Sequence, residues 1–148
     1  MQHVQTRSTT SALVLTAVLI ALATLFTMYT KIPVPGIRGY FNVGDVVIMT
    51  SALLLGRKYG AYIGAIGPAL ADLFLGYAVF VPITFVVKGI EGYLVGTVYN
   101  NKTTTSALVA TVVGGIIIVA GYFVAEYFVF DPGVAIASIL TNTIQAVM

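Results

Sequence analysis

The sequence predicts an all-α integral membrane protein, a single bundle of six transmembrane helices with its N-terminus in the cytoplasm. Of the 148 residues, 59% are hydrophobic and 8% are charged, whereas a soluble domain carries about 25% charged residues. The chain also divides into apolar runs, most of them close to the roughly 20 residues that a helix needs to cross a bilayer. Basic residues gather in the connections on one side, which is typical of a multi-pass protein. We therefore expect a protein of the cell (plasma) membrane.

The first three helices are predicted at residues 11–29, 43–55 and 59–79. Residues 31–39 contain two prolines and two glycines, which disfavour a helix, so this segment is predicted to be a loop. The second run is short and ends in a basic turn at residues 56–58. In the third run, Gly60 and Gly64 form a small-xxx-small pair, which lets neighbouring helices approach closely in lipid.

The last three helices are predicted at residues 83–99, at 106–130 and from Pro132 to the end of the chain. Pro82 is expected to mark the turn before the fourth helix, and Pro132 suits the first position of the sixth. The run 107–120 is almost entirely apolar, without the alternating polarity of barrel strands. Residues 1–148 are thus interpreted as one transmembrane substrate-binding domain, with a sixth helix that is incomplete at its C-terminus.

Orientation follows from the basic residues of the short connections, which fall into two sets: Arg7, Arg57, Lys58 and Lys102 on one side, Lys31 and Arg38 on the other. The richer side is expected to face the cytoplasm. The loops around Pro33, Pro82 and Pro132 then lie outside.

Several function classes are disfavoured by composition. The net charge of +2 is too small for a nucleic-acid partner, and the chain has no cysteine and one histidine, His3. No Gly-x-x-x-x-Gly-Lys-Ser/Thr phosphate loop is present, so ATP hydrolysis would have to come from a partner. We predict no metal, no cofactor and no enzymatic activity.

The charged residues within apolar runs are the main candidates for function: Asp72, Lys88, Glu91 and Glu126. Charges at membrane depth usually face the interior of a bundle. At about 1.5 Å per residue, Lys88 lies roughly 8 Å and Asn142 roughly 14 Å from the outer ends of their helices. These positions predict a polar pocket that opens outward.

Helical spacing places three sets on shared faces: Lys88 with Glu91, Tyr122 with Glu126, and Ser138 with Asn142 and Gln145. Alternatively, Lys88 pairs with Glu91 or Glu126 only to neutralise buried charge. Spacing does not decide whether Asp72 and Glu91 are structural or functional. The aromatic residues near Asp131 are typical of an interfacial belt: Tyr127, Phe128 and Phe130.

Seven short segments carry a resemblance to a known family: residues 40–45 (YFNVGD), 53–60 (LLLGRKYG), 71–73 (ADL), 76–78 (GYA), 82–89 (PITFVVKG), 121–127 (GYFVAEY) and 142–145 (NTIQ). In this order the segments resemble the substrate-binding (S) components of energy-coupling factor (ECF) transporters. The closest branch is the one for riboflavin or hydroxymethylpyrimidine. The resemblance covers residues 12–148.

The resemblance implies a vitamin captured from outside by the first external loop and helices four to six. It also implies that the chain docks on a transmembrane coupling subunit, EcfT, which acts with two ATP-binding cassette ATPases. The docking motif that the resemblance implies is Ala-x-x-x-Ala on the first helix, which Ala17 and Ala21 match. The expected substrate contacts are Phe41, Asn42, Lys88, Tyr122, Glu126, Asn142 and Gln145.

Hydroxymethylpyrimidine or a pyridoxine-like compound is favoured as ligand, because the chain lacks tryptophan, the largest stacking platform. Riboflavin stays open as the alternative. Two rival classes are a membrane enzyme, with Lys88 and Glu126 as an acid–base pair, and a non-transporting membrane assembly protein.

Overall fold

A computed structural model describes residues 9–33, 40–99 and 103–147 of the protein. Within these ranges lie two short antiparallel strands, β1 (Ile32–Pro33) and β2 (Tyr40–Phe41). The six helices are α1 (Thr9–Tyr29), α2 (Gly44–Leu55), α3 (Arg57–Phe74), α4 (Phe80–Val98), α5 (Thr104–Val129) and α6 (Pro132–Val147). Five positions used in the sequence analysis lie outside the described residues: His3, Arg7, Arg38, Lys102 and Met148.

Three of the described helices, α1, α4 and α5, are each long and apolar enough to cross a membrane. The remaining helices complete one bundle, in which α3 packs against α1, α2 and α4, and α5 packs against α4 and α6. The predicted all-α membrane architecture with six helices is confirmed.

Glycines bring α3 and α4 into close contact. A Cβ atom added at Gly60 would lie 2.6 Å from the carbonyl oxygen of Gly92, and one added at Gly64 would collide with the carbonyl of Lys88. The predicted role of Gly60 and Gly64 in close helix approach is therefore confirmed, because these backbones meet where a side chain would separate them.

Two predicted boundaries near the α3–α4 connection are wrong. The third helix ends at Phe74 rather than at residue 79, and Gly76 follows with a φ of +82°, which favours glycine. Pro82 does not mark the turn but lies in the first turn of α4, where its missing N–H would have no helical partner in any case. The predicted start of α6 at Pro132 is confirmed.

The short helix α2 begins inside the bundle. Its 12 residues span about 18 Å, less than the hydrocarbon thickness of about 30 Å. Polar side chains satisfy the backbone that leads into it: Val43 N donates to Thr30 Oγ1 (3.0 Å), Gly44 N to Asn42 Oδ1 (2.8 Å) and Asn42 N to Gln145 Oε1 (3.2 Å). Non-helical backbone at membrane depth is tolerated when protein groups pair with it in this way.

Candidate functional site

A cavity of about 40 Å³ lies at the end of the bundle where α1 finishes and α6 begins. The loop charges predict this to be the outer end, and that name is kept below. Side chains from α1, α3, α4, α5 and α6 line the cavity, together with Tyr40 of β2 and Asn42. At roughly 10–15 Å³ per water molecule, the cavity has room for about three waters.

A buried ionic cluster forms the deep end of the site. Lys88 is 1% exposed and lines the cavity. Its Nζ pairs with Asp45 Oδ1 and lies 3.2 Å from Glu91 Oε2. Gln145 Nε2 donates to the other oxygen of Asp45 at 2.7 Å. The cluster thus holds one ammonium and two carboxyl groups, with Gln145 fixing Asp45 rather than facing the cavity.

Glu126 lies apart from this ionic cluster. It lines the cavity and accepts a hydrogen bond from Ser138 Oγ of α6. Of the two carboxylates suggested as partners of Lys88, Glu91 lies beside it, whereas no ion pair joins Lys88 to Glu126 among the described residues, so the suggested acid–base pair of Lys88 and Glu126 is wrong. The second carboxylate that pairs with Lys88 is instead that of Asp45, because α2 begins inside the bundle at the depth of Lys88.

Three buried polar atoms that belong to cavity-lining residues lack a hydrogen-bond partner among the described residues: Thr27 Oγ1, Asp72 Oδ2 and Asn142 Nδ2. They lie on α1, α3 and α6 respectively. The other oxygen of Asp72 accepts a hydrogen bond from Tyr40 Oη at 2.6 Å. Buried polar groups are normally paired, so these atoms are available to hydrogen-bond a polar ligand or water in the cavity.

Aromatic rings close the outer end of the cavity. The ring centroids of Tyr40 and Tyr77 are 5.0 Å apart, and those of Tyr77 and Phe80 are 6.4 Å apart. Phe130 packs on Phe80 at 5.4 Å. Deeper in the cavity, Tyr122 Oη and Thr84 Oγ1 form a 3.0 Å hydrogen bond. The site therefore combines flat apolar faces with a few polar atoms, as small-molecule sites usually do.

The structure brings five of the seven predicted substrate contacts to the cavity: Asn42, Lys88, Tyr122, Glu126 and Asn142. Phe41 is half-buried and is not among the lining residues, and Gln145 supports Asn42 and Asp45 from behind. Ala17 and Ala21 are both exposed on α1.

Sequence reasoning missed Asp45 and Tyr40 as members of the site. In the sequence, Asp45 belongs only to the segment 40–45 that leads into the short second helix and has no predicted role, whereas the structure buries it to 5% exposure beside Lys88. One signal was present, because an apolar run too short to span, with an acid in its first turn, indicates a helix that begins within the bundle. Nothing in the local sequence marks Tyr40 as the partner of Asp72.

Comparison with known proteins places the chain in a family. The family described as "ECF-type riboflavin transporter, S component" matches residues 7–148. An uncharacterized protein from Pyrococcus woesei is 42% identical over 127 residues, which is 84% of each chain. The thiamine precursor transporter HmpT of Lactococcus lactis is 30% identical over 135 residues, covering 90% of this chain and 75% of HmpT. The chain therefore belongs to the family of S components of ECF-type riboflavin transporters, which are multi-pass membrane proteins that capture a vitamin for an ECF module and are not enzymes.

Proposed function

We propose that residues 1–148 act as one substrate-binding domain that captures a small heteroaromatic vitamin or vitamin precursor from outside the cell. Hydroxymethylpyrimidine or a pyridoxine-like compound is the favoured ligand. The observation that carries this proposal is the cavity itself, which is lined both by aromatic rings and by buried polar atoms that have no hydrogen-bond partner within the described part of the chain. The named activity of HmpT, a thiamine precursor transporter, agrees with it.

The size of the cavity supports a ligand with one ring. Its volume of about 40 Å³ accepts about three waters, which fill roughly 90 Å³ in the liquid. That is close to the volume of one six-membered aromatic ring and smaller than the three fused rings of riboflavin. Riboflavin stays the second candidate, because the matching family is described by that vitamin.

The partners proposed for the loaded chain are EcfT and two ATP-binding cassette ATPases. Ala17 and Ala21 lie four residues apart on the exposed side of α1, where small side chains allow close approach of a partner helix. The proposed orientation keeps the N-terminus in the cytoplasm and the cavity open to the outside. These proposals extend the family assignment to specific residues.

A thermal-shift screen of the purified chain tests the proposed function. A ligand at a hundred times its Kd stabilises the folded form by about 2.7 kcal/mol, so hydroxymethylpyrimidine or pyridoxine should raise the melting temperature. In Asn142→Ala, which removes an unpartnered donor of the cavity, the affinity should fall about fivefold, the equivalent of one neutral hydrogen bond. A shift with riboflavin alone would select the second candidate, and no shift with any vitamin would favour an assembly protein.

A further inference from the structure

A free carboxylate oxygen lies at the outer end of α3. Asp72 is 3% exposed and lines the cavity. Its Oδ1 accepts the hydroxyl of Tyr40, whereas Oδ2 has no hydrogen-bond partner among the described residues. Thr84 lies close enough to interact with this carboxylate, and it also shares a 3.0 Å hydrogen bond with Tyr122 in which either hydroxyl can be the donor.

Holding Tyr40 in place does not explain why residue 72 is an aspartate. Holding Tyr40 requires one acceptor oxygen, which an uncharged asparagine would also supply. A buried polar atom without a partner destabilises a protein, and the loss is greater when the group is charged. The second oxygen of Asp72 is therefore available to accept a hydrogen bond from a ligand in the cavity.

Another residue that lines the cavity offers a complementary group. Asn142 Nδ2 on α6 is a donor without a partner among the described residues. Lys88, in contrast, already has Asp45 and Glu91 beside it. A ligand that satisfies both free groups must bring an N–H or O–H donor to Asp72 and an acceptor to Asn142.

We infer that Asp72 selects ligands that carry an amino group on the heteroaromatic ring, as an aminopyrimidine does. The amino group donates to Asp72 Oδ2, and a ring nitrogen accepts from Asn142. This inference rests on the proposed function and assigns the substrate class within it. It also adds a residue of α3 to a site that the family resemblance confines to the first external loop and helices four to six.

The test compares two ligands on two proteins. The ligands are hydroxymethylpyrimidine, which carries a ring amino group, and its analogue with hydrogen in that place. The wild type should bind the amino compound about 10- to 100-fold more tightly, as expected for one hydrogen bond to a charged group. In Asp72→Asn, whose carbonyl oxygen can still accept from Tyr40, the preference should fall below about threefold, because the amide then presents its NH2 group to the ring amino group, and a donor cannot accept a hydrogen bond from it. The ratio of affinities does not depend on the folded fraction.

Asp131→Asn is the matched control. Asp131 is exposed between α5 and α6, and its Oδ1 accepts from Val134 N, which asparagine can also do. This variant should keep the wild-type preference. An unchanged preference in Asp72→Asn, or no preference in the wild type, overturns the inference while leaving the proposed function in place. A wild type that binds neither these two compounds nor any other vitamin overturns both.

Discussion

Lys88 shows how one residue is held at membrane depth. An ammonium at the centre of a bilayer is unfavourable by about 3 kcal/mol on insertion scales. Here its charge is surrounded by Asp45 of α2 and Glu91 of the following turn of α4. The remaining carboxylate oxygen of Asp45 is fixed by Gln145. Lys88 therefore stabilises the junction of α2, α4 and α6, besides contributing to the wall of the cavity.

Replacing Lys88 by methionine should strongly destabilise the fold. Methionine fills much of the space, but Asp45 and Glu91 are left buried without a cation. Removing one partner of a buried ion pair lowers the free energy of unfolding by about 3–5 kcal/mol, which thermal or denaturant unfolding in detergent can measure. Lys58→Met, at an exposed position, should change stability by less than about 0.5 kcal/mol.

A second substitution separates charge from packing in this experiment. Adding Asp45→Asn to Lys88→Met removes one uncompensated carboxylate and keeps an acceptor for Gln145, so the double variant should be more stable than Lys88→Met alone. Additive losses would contradict the ion pair. A Lys88→Met protein with normal stability and weakened ligand binding would show that Lys88 serves mainly the ligand.

At the scale of an element, α1 has two distinct faces. One face packs into the bundle, where Ala23 is fully buried and Thr24 Oγ1 donates to the carbonyl oxygen of Gly67 at 2.9 Å. The other face exposes Ala17 and Ala21, with large apolar neighbours such as Val18, which is 58% exposed. The exposed face is apolar and locally flat, so it suits lipid or a partner helix.

Leucine at both Ala17 and Ala21 should prevent docking without affecting capture. The larger side chains hold a partner helix away but lie far from the cavity lining. We expect vitamin uptake by cells carrying the whole transporter to fail, while the purified variant binds ligand with wild-type affinity. Ala137→Leu adds the same bulk at an exposed position of α6 and should leave uptake intact. Normal uptake in the double-leucine variant would move the docking face elsewhere.

At the scale of the whole molecule, orientation decides which side of the membrane supplies the ligand. Arg57 and Lys58 lie at the start of α3, and the exposed Asp131 lies between α5 and α6 at the opposite end of the bundle. The cavity lies at the Asp131 end. The positive-inside rule predicts that the Lys58 end faces the cytoplasm.

Single cysteines report this orientation cleanly, because the chain contains none of its own. In intact cells, Asp131→Cys should react with a membrane-impermeant thiol reagent, whereas Lys58→Cys should react only with a permeant one. Both should react after the membrane is opened, which controls for accessibility. The reverse pattern would invert the topology and direct the cavity to the cytoplasm.

The sequence by itself determined the class of the protein and the positions of its helices. Hydropathy and helical spacing are local properties, so the apolar runs located all six helices, and buried charge at Lys88 and Glu126 indicated a polar interior. The wrong predictions for Pro82 and for the end of α3 also concern local sequence. A proline is compatible both with a loop and with the first turn of a helix, so Pro82 alone does not distinguish the two.

Only the tertiary structure decided which groups meet. Asp45 and Lys88 are 43 residues apart in the chain, and Asn42 and Gln145 are 103 apart. No spacing rule links residues so distant, since their contact depends on how deep α2 begins in the bundle. The same holds for Asp72, which lies 32 residues from its partner Tyr40 in the chain.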